Sequence, residues 1–282
     1  MEKIKITCDS ACDLSSETYR AYQIMPIPVH VISGGKQYLD MVNIRLPDVF
    51  RIVDSTGQLP TTAAISSYEY EEVFRRYRKE GYTVIHINIS SKLTSCHQNA
   101  RIAAENHENV YVFDSQNVSS ASGYLAMEAS DLARRGSSAG EILEKLSELR
   151  RQMEVSFLVD TLSYLHMGGR CSAIVALGAN LLKLKPCIEM CGGSLRVGKK
   201  YRGSLKRSVC HYIRDKLENR PSIQRGTILM THAMAPGDVL EEVRREIRKF
   251  LPGVKIIENI TGCTIGSHCG PSTLGIGILR RI

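Results

Sequence analysis

Short apolar runs alternate with amphipathic stretches through the first half of the chain. Residues 4–7 (Ile-Lys-Ile-Thr) alternate apolar and polar side chains and predict a strand. Ser15 or Ser16 then caps a helix running through Tyr22. Pro47 suits the first turn of a further helix, where its missing N–H costs nothing. Ser66 and Glu69 form a capping-box pattern ahead of an amphipathic stretch that ends at Gly81. Residues 83–89 alternate, are β-branched and predict a strand; 97–107 predict a helix and 110–113 a strand. Residues 124–135 read as a helix stopped by Gly136, and Ser138 with Glu141 opens another to about Met153. This alternation implies a parallel sheet with helices on both faces.

The pattern changes in the second half. Residues 155–160 predict a strand, Gly168-Gly169-Arg170 a short turn, and 172–182 a helix of small residues. Residues 186–191 and 194–197 predict a hairpin around Gly192-Gly193. Strands over 227–231, 254–260 and 274–279 are separated by helices over 205–218 and 238–250. The expected fold class is α/β: a Rossmann-like parallel-sheet domain over residues 1–155 and a smaller mixed α+β domain over 156–282.

Composition narrows the class. With 43% hydrophobic and 23% charged residues the chain is globular, and its longest apolar runs fall far short of the ~20 residues of a membrane span. Met1-Glu2-Lys3 leads straight into strand pattern without an apolar leader, so a cytoplasmic protein is expected. The nine cysteines are scattered, and neither Cys8/Cys12 nor Cys187/Cys191 has histidines at zinc-finger spacing. Free thiols in a reducing compartment are expected, with a zinc or redox role as the alternative. The net charge of +8 favours an anionic ligand or partner. With no Trp, five Phe and no interleaving of basic and aromatic residues, a nucleic-acid partner is not expected.

Three first-half strands end in similar chemistry: Cys8-Asp9-Ser10, Ser90-Ser91 and Asp114-Ser115. In a doubly wound sheet such ends share one edge, where ligands bind. Helix capping explains each of them singly. An acidic edge repels anions, so Asp9 and Asp114 are expected to be structural. Pro60-Thr61-Thr62 reads as a hydroxyl-rich turn, Leu93-Thr94-Ser95-Cys96 as a helix start, and Gly266-Ser267-His268-Cys269-Gly270-Pro271 as a glycine-bounded loop. The glycines imply a backbone held close to a neighbour.

These segments, in this order, resemble the DegV family of bacterial fatty-acid-binding proteins, the carrier subunits of fatty acid kinase. The resemblance runs the whole chain. It also includes Ile89-Ser90-Ser91-Lys92-Leu93-Thr94, Asp160-Thr161-Leu162-Ser163-Tyr164-Leu165, Gly168-Gly169-Arg170-Cys171-Ser172, Leu184-Lys185-Pro186 and Arg202-Gly203. It implies an acyl chain in a tunnel completed by the second domain. The partner it implies is a separate ATP-dependent kinase subunit that makes acyl phosphate, with transient membrane contact and no cofactor or metal. The carboxylate-binding hydroxyls fall on Thr62 and Thr94, and the histidine on His268. Two arginines linked with kinase docking or phosphoryl transfer fall on Arg170 and Arg202. The chain departs from the family pattern at Ala63-Ala64-Ile65, at Thr94-Ser95-Cys96 and at Ser272. Two other classes remain: an enzyme acting on a lipid or phospho-metabolite, and a regulator binding nucleic acid through the basic run 196–207. Against the first, the chain has no Walker-type loop or nucleophile elbow.

Overall fold

The computed structural model describes residues 2–171, 184–218 and 226–279. The helix expected over 172–182 lies outside the described residues.

The first sheet contains β1 (Ile4–Asp9), β2 (Met25–Ile27), β6 (Thr83–Asn88) and β7 (Val110–Asp114), in the order β2-β1-β6-β7 and all parallel. The expected parallel sheet is therefore present. All six residues of β6 are buried, so its sequence alternation does not mark a solvated face. A parallel sheet covered on both faces has no wet side. Its cover comes from α3 (Ser67–Lys79), α4 (Cys96–Ala104), α5 (Ser120–Arg134) and α6 (Ala139–Gln152). The Ser66–Glu69 and Ser138–Glu141 capping boxes form as the sequence predicts.

Between β2 and β6 the chain builds features that periodicity did not reveal. A small antiparallel sheet, in the order β4-β3-β5, comprises β3 (His30–Ser33), β4 (Lys36–Leu39) and β5 (Thr61–Ala63). Thr61 and Thr62, expected in a turn, are strand residues paired with Ile32 and Val31. Three- and four-residue strands are too short to show a period of two. α2 (Leu46–Thr56), with Pro47 in its first turn, lies between β4 and β5, while α1 (Ser16–Ala21), capped by Ser15, comes earlier, between β1 and β2.

The second sheet has the order β10-β9-β8-β13-β11-β12, only β11 and β12 being parallel. Its strands are β8 (Met153–Leu158), β9 (Leu184–Cys191), β10 (Ser194–Arg202), β11 (Thr227–His232), β12 (Lys255–Ile260) and β13 (Leu274–Leu279). One face, with Ile228, Met230, Leu274, Ile276 and Ile278, packs on α8 (Leu205–Leu217) and α9 (Gly237–Phe250). The opposite face turns toward the first sheet's helices: Thr231 Oγ1 donates to Ser120 Oγ at 2.7 Å. A short helix, α7 (Ser163–Gly168), stands where only a turn was expected, and Gly169 ends it at φ +65°.

The expected loop over 266–271 begins as helix. α10 (Cys263–Cys269) contains one of the two glycines, and Gly270 caps it. Glycine and β-branched residues have weak helix propensity, so local sequence hides this helix. Distant carboxyls hold its first turn. Asp40 accepts from the N–H groups of Cys263 and Thr264 at 2.9 and 3.0 Å, from Thr264 Oγ1 at 2.6 Å, and from Ser10 Oγ at 3.2 Å. Asp13 accepts from Gly262 N–H at 2.8 Å and from Ser119 Oγ. Burial holds the Asp13 carboxyl well above the usual carboxylate range, against the opposing pull of those two donors. No helix among the described residues is long and apolar enough to cross a membrane.

Asp40→Ala should lower unfolding stability by about 2–4 kcal/mol, because it strands buried donors from both ends of the chain. Urea denaturation measures this; a midpoint within error of wild type would contradict the anchoring role.

Candidate functional site

A cavity of about 170 Å³ lies between the two large sheets. Val29, Leu93, Val118, Phe157, Leu165 and Leu229 line it with apolar surface. Its floor is the second sheet's face of alternate residues: Val155 and Phe157 on β8, Gly275 and Gly277 on β13, Leu229 and Thr231 on β11. The two glycines let neighbours lean inward. A Cβ on Gly275 would lie 2.8 Å from the Phe157 Cβ, and one on Gly277 3.2 Å from Leu229 Cδ1.

Thr62, Thr94, Arg170 and His268 all border this cavity; Arg202 does not. Thr62 Oγ1 and His268 Nε2 are 2.7 Å apart, although 206 positions separate them in sequence. β5 supplies the first and the last turn of α10 the second. His268 Nδ1 is buried and has no hydrogen-bond partner among the described residues. Gly168 makes room for this ring, since a Cβ there would lie 2.5 Å from Nδ1. Burial, and then the Arg170 guanidinium, push the imidazole from 6.5 down to about 4, so it is neutral at neutral pH. Either tautomer fits: the ring donates to Thr62 or accepts from it.

Thr94 is turned to local work. Its hydroxyl accepts from Cys96 N–H and donates to Cys96 Sγ, each at 3.2 Å. Sulfur is a weak acceptor, and an anion would displace it readily. Burial raises the Cys96 thiol to about 11, so it faces the cavity uncharged. Arg170 is exposed at the cavity's border and donates to the carbonyls of Leu93 and Gly168, at 3.4 and 2.6 Å. No carboxylate of the described residues lies within ion-pair distance of it. Arg202, the last residue of β10, is exposed and apart from this group. Of the basic run, Lys199 pairs with Asp215 and Lys206 with Asp238, which breaks up the positive surface.

Both acidic strand ends are tied to protein donors, as a structural role requires, but Asp9 also borders the cavity, whereas Asp114 does not. Asp9 is buried and accepts from Tyr70 Oη at 2.6 Å, from Asn88 Nδ2 at 3.1 Å and from His86 Nε2 at 3.3 Å. Asp114 accepts from the backbone and hydroxyl of Ser91 and from Gln116 N–H. All nine cysteines are free thiols. Among the described residues no group of three or more His, Cys, Asp or Glu side chains is arranged to hold a metal. The sequence did not single out Phe157, Leu229, Thr231 or Thr261. The signal available was Leu274-Gly275-Ile276-Gly277-Ile278, a strand with glycine on alternate positions.

Fold and cavity define an α/β protein with a largely apolar, partly open cavity between its two large sheets, bordered by hydroxyls and by His268. The family model described as "Uncharacterised protein, DegV family" matches residues 3–281, and the chain belongs to that family. It is 33% identical over 285 residues to a DegV domain-containing protein of Clostridium acetobutylicum, with 100% of both chains covered. A fatty-acid-binding DegV family protein from Thermus thermophilus superposes with a TM-score of 0.89 at 29% identity, over 99% of this chain and 100% of that one. A stearic-acid-binding protein from Eubacterium ventriosum does so with a TM-score of 0.86 at 25% identity, over 99% and 98%.

The depressed pKa of His268 has a thermodynamic consequence. The unfolded histidine takes a proton near pH 6.5, the folded one only near pH 4. Its contribution is therefore intact above pH 6.5 and is lost as pH falls toward 4, by about 3 kcal/mol at most. His268→Gln should flatten that part of the stability profile in denaturant titrations. A wild-type slope retained in the variant would assign it to other groups.

Proposed function

We propose that this protein is a carrier. It holds a long-chain fatty acid in the cavity between the units formed by residues 1–155 and 156–282. It presents the carboxylate to a separate ATP-dependent kinase subunit, which makes acyl phosphate. The observation that carries this reading is an apolar cavity ending in the Thr62–His268 pair. Fatty-acid binding by similar DegV structures supports it.

Burying methylenes stabilises by about 0.8 kcal/mol each, so an acyl chain of about fifteen gains roughly 12 kcal/mol before ordering and association costs. The carboxylate drawn in with the chain is expensive unless hydrogen-bonded. In this reading Thr62, Thr94 and His268 hold it. Each donates from a neutral group, so the anion keeps the charge that makes it a nucleophile toward ATP. A bidentate arginine would clamp it harder. We assign Arg170 and Arg202 instead to kinase docking and support of phosphoryl transfer. The exposed guanidinium of Arg170 beside the cavity fits contact with acidic groups or phosphates. The carrier performs no bond chemistry of its own, and its positive charge suits brief contact with an anionic membrane during loading.

Denaturing the purified protein and weighing the released lipid by mass spectrometry should find one fatty acid per chain. No fatty acid after lipid feeding would overturn the reading. For the kinase step, Arg170→Ala should reduce acyl-phosphate formation at least tenfold while the lipid stays bound; unchanged turnover would remove Arg170 from that role.

A further inference from the structure

The cavity carries hydroxyls beyond the Thr62–His268 end, and most are tied to protein acceptors. Ser119 donates to Asp13, Thr264 to Asp40 and Thr273 to the Cys269 carbonyl. Thr261 differs. It is 6% exposed, lines the cavity, and its Oγ1 has no hydrogen-bond partner among the described residues. A buried hydroxyl left this way is destabilising, and native structures leave few of them.

Topology brings a second polar group to the same place. β11 and β12 are parallel neighbours, with Thr231 opposite Asn259, and Thr261 N–H donates to the His232 carbonyl. Thr231 and Thr261 therefore stand at the same end of the sheet. Thr231 Oγ1 donates to Ser120 Oγ, and both residues line the cavity. That bond uses one of the pair's two hydroxyl hydrogens. α10 runs from this group to His268, so at 1.5 Å per helical residue the two polar ends lie roughly 10 Å apart.

We propose that Thr261, with the Ser120–Thr231 pair, is a second polar subsite that selects an acyl chain bearing a hydroxyl part-way along its length. The inference rests on the fatty-acid reading above. A plain methylene chain passing Thr261 leaves its hydroxyl stranded. A ligand hydroxyl both donates and accepts, and so satisfies Thr261 and the neighbouring pair together. Sites built to hydrogen-bond a ligand oxygen discriminate against analogues that lack it. A trapped water would satisfy Thr261 equally well and would leave no such selectivity.

The test uses the full-length, delipidated protein with stearic acid and a positional series of monohydroxystearic acids. At least one mid-chain isomer should bind the wild type better than stearic acid. In the near-isosteric Thr261→Val variant that preference should fall by about tenfold. Isomers hydroxylated beside the carboxyl or at the far end should show no such dependence. Thr231→Val should shift the ratio in the same direction and serves if Thr261→Val does not fold. Stearic acid binding with the same ratio in wild type and variants overturns the subsite alone. If neither stearic acid nor any isomer binds the wild type, fatty-acid carriage and the subsite fall together.

Discussion

The structure turns on the way the start of α10 is held. Asp40 and Asp13, from the first forty residues, meet the N–H groups of Gly262, Cys263 and Thr264 near the other end of the chain. A helix of seven residues with weak propensity cannot nucleate alone. Its orphan N–H groups need partners, and these two carboxyls supply them where the positive end of the helix favours an acceptor. The anchoring sets where the helix begins, and four residues beyond Thr264 it delivers His268 to Thr62. Thr62 is held in turn by β5 against β3. The Thr62–His268 pair is thus a consequence of buried polar contacts across the interface of the two sheets.

The same interface explains the cavity. Two layers packed through bulky side chains would fill the space between them. Here the facing strand, β13, offers Gly275 and Gly277 on its cavity side and Leu274, Ile276 and Ile278 on its core side. Gly168 likewise leaves its volume to the His268 ring. Absent side chains shape the site as much as those present.

The parallel sheet, its capped helices and the second-half strands were legible because each has a local signature. The Ser66–Glu69 box lies within one helical turn, and residues 110–113 carry their own apolar run. α10, β5 and the cavity floor were not legible in that way. The bonds that create them join Asp40 to Cys263 and Ile32 to Thr61, and no local window contains both partners. Family motifs brought Thr62, Thr94, Arg170 and His268 forward, and the structure places all four around one cavity. The motifs did not disclose that Thr94 is bonded to Cys96, which belongs to the same departure from the pattern. Nor did they mark Thr261, whose significance depends on its hydroxyl having no partner among the described residues, a property no sequence displays.

The protonation of His268 connects architecture to the proposed role. A carboxylate could be held by an imidazolium or a guanidinium, and both would bind it tightly while drawing off its charge. Burial by α7 and the nearby Arg170 both disfavour the imidazolium. The ring is then restricted to a neutral hydrogen bond. Arg170, with its side chain tied to the Leu93 and Gly168 carbonyls, meets the cavity from its exposed border. Placing neutral donors inside and the cation at the border separates two demands on an acyl carrier: keeping the anion bound, and leaving it reactive when a phosphoryl donor arrives. A cation at the position of His268 would meet the first demand at the expense of the second.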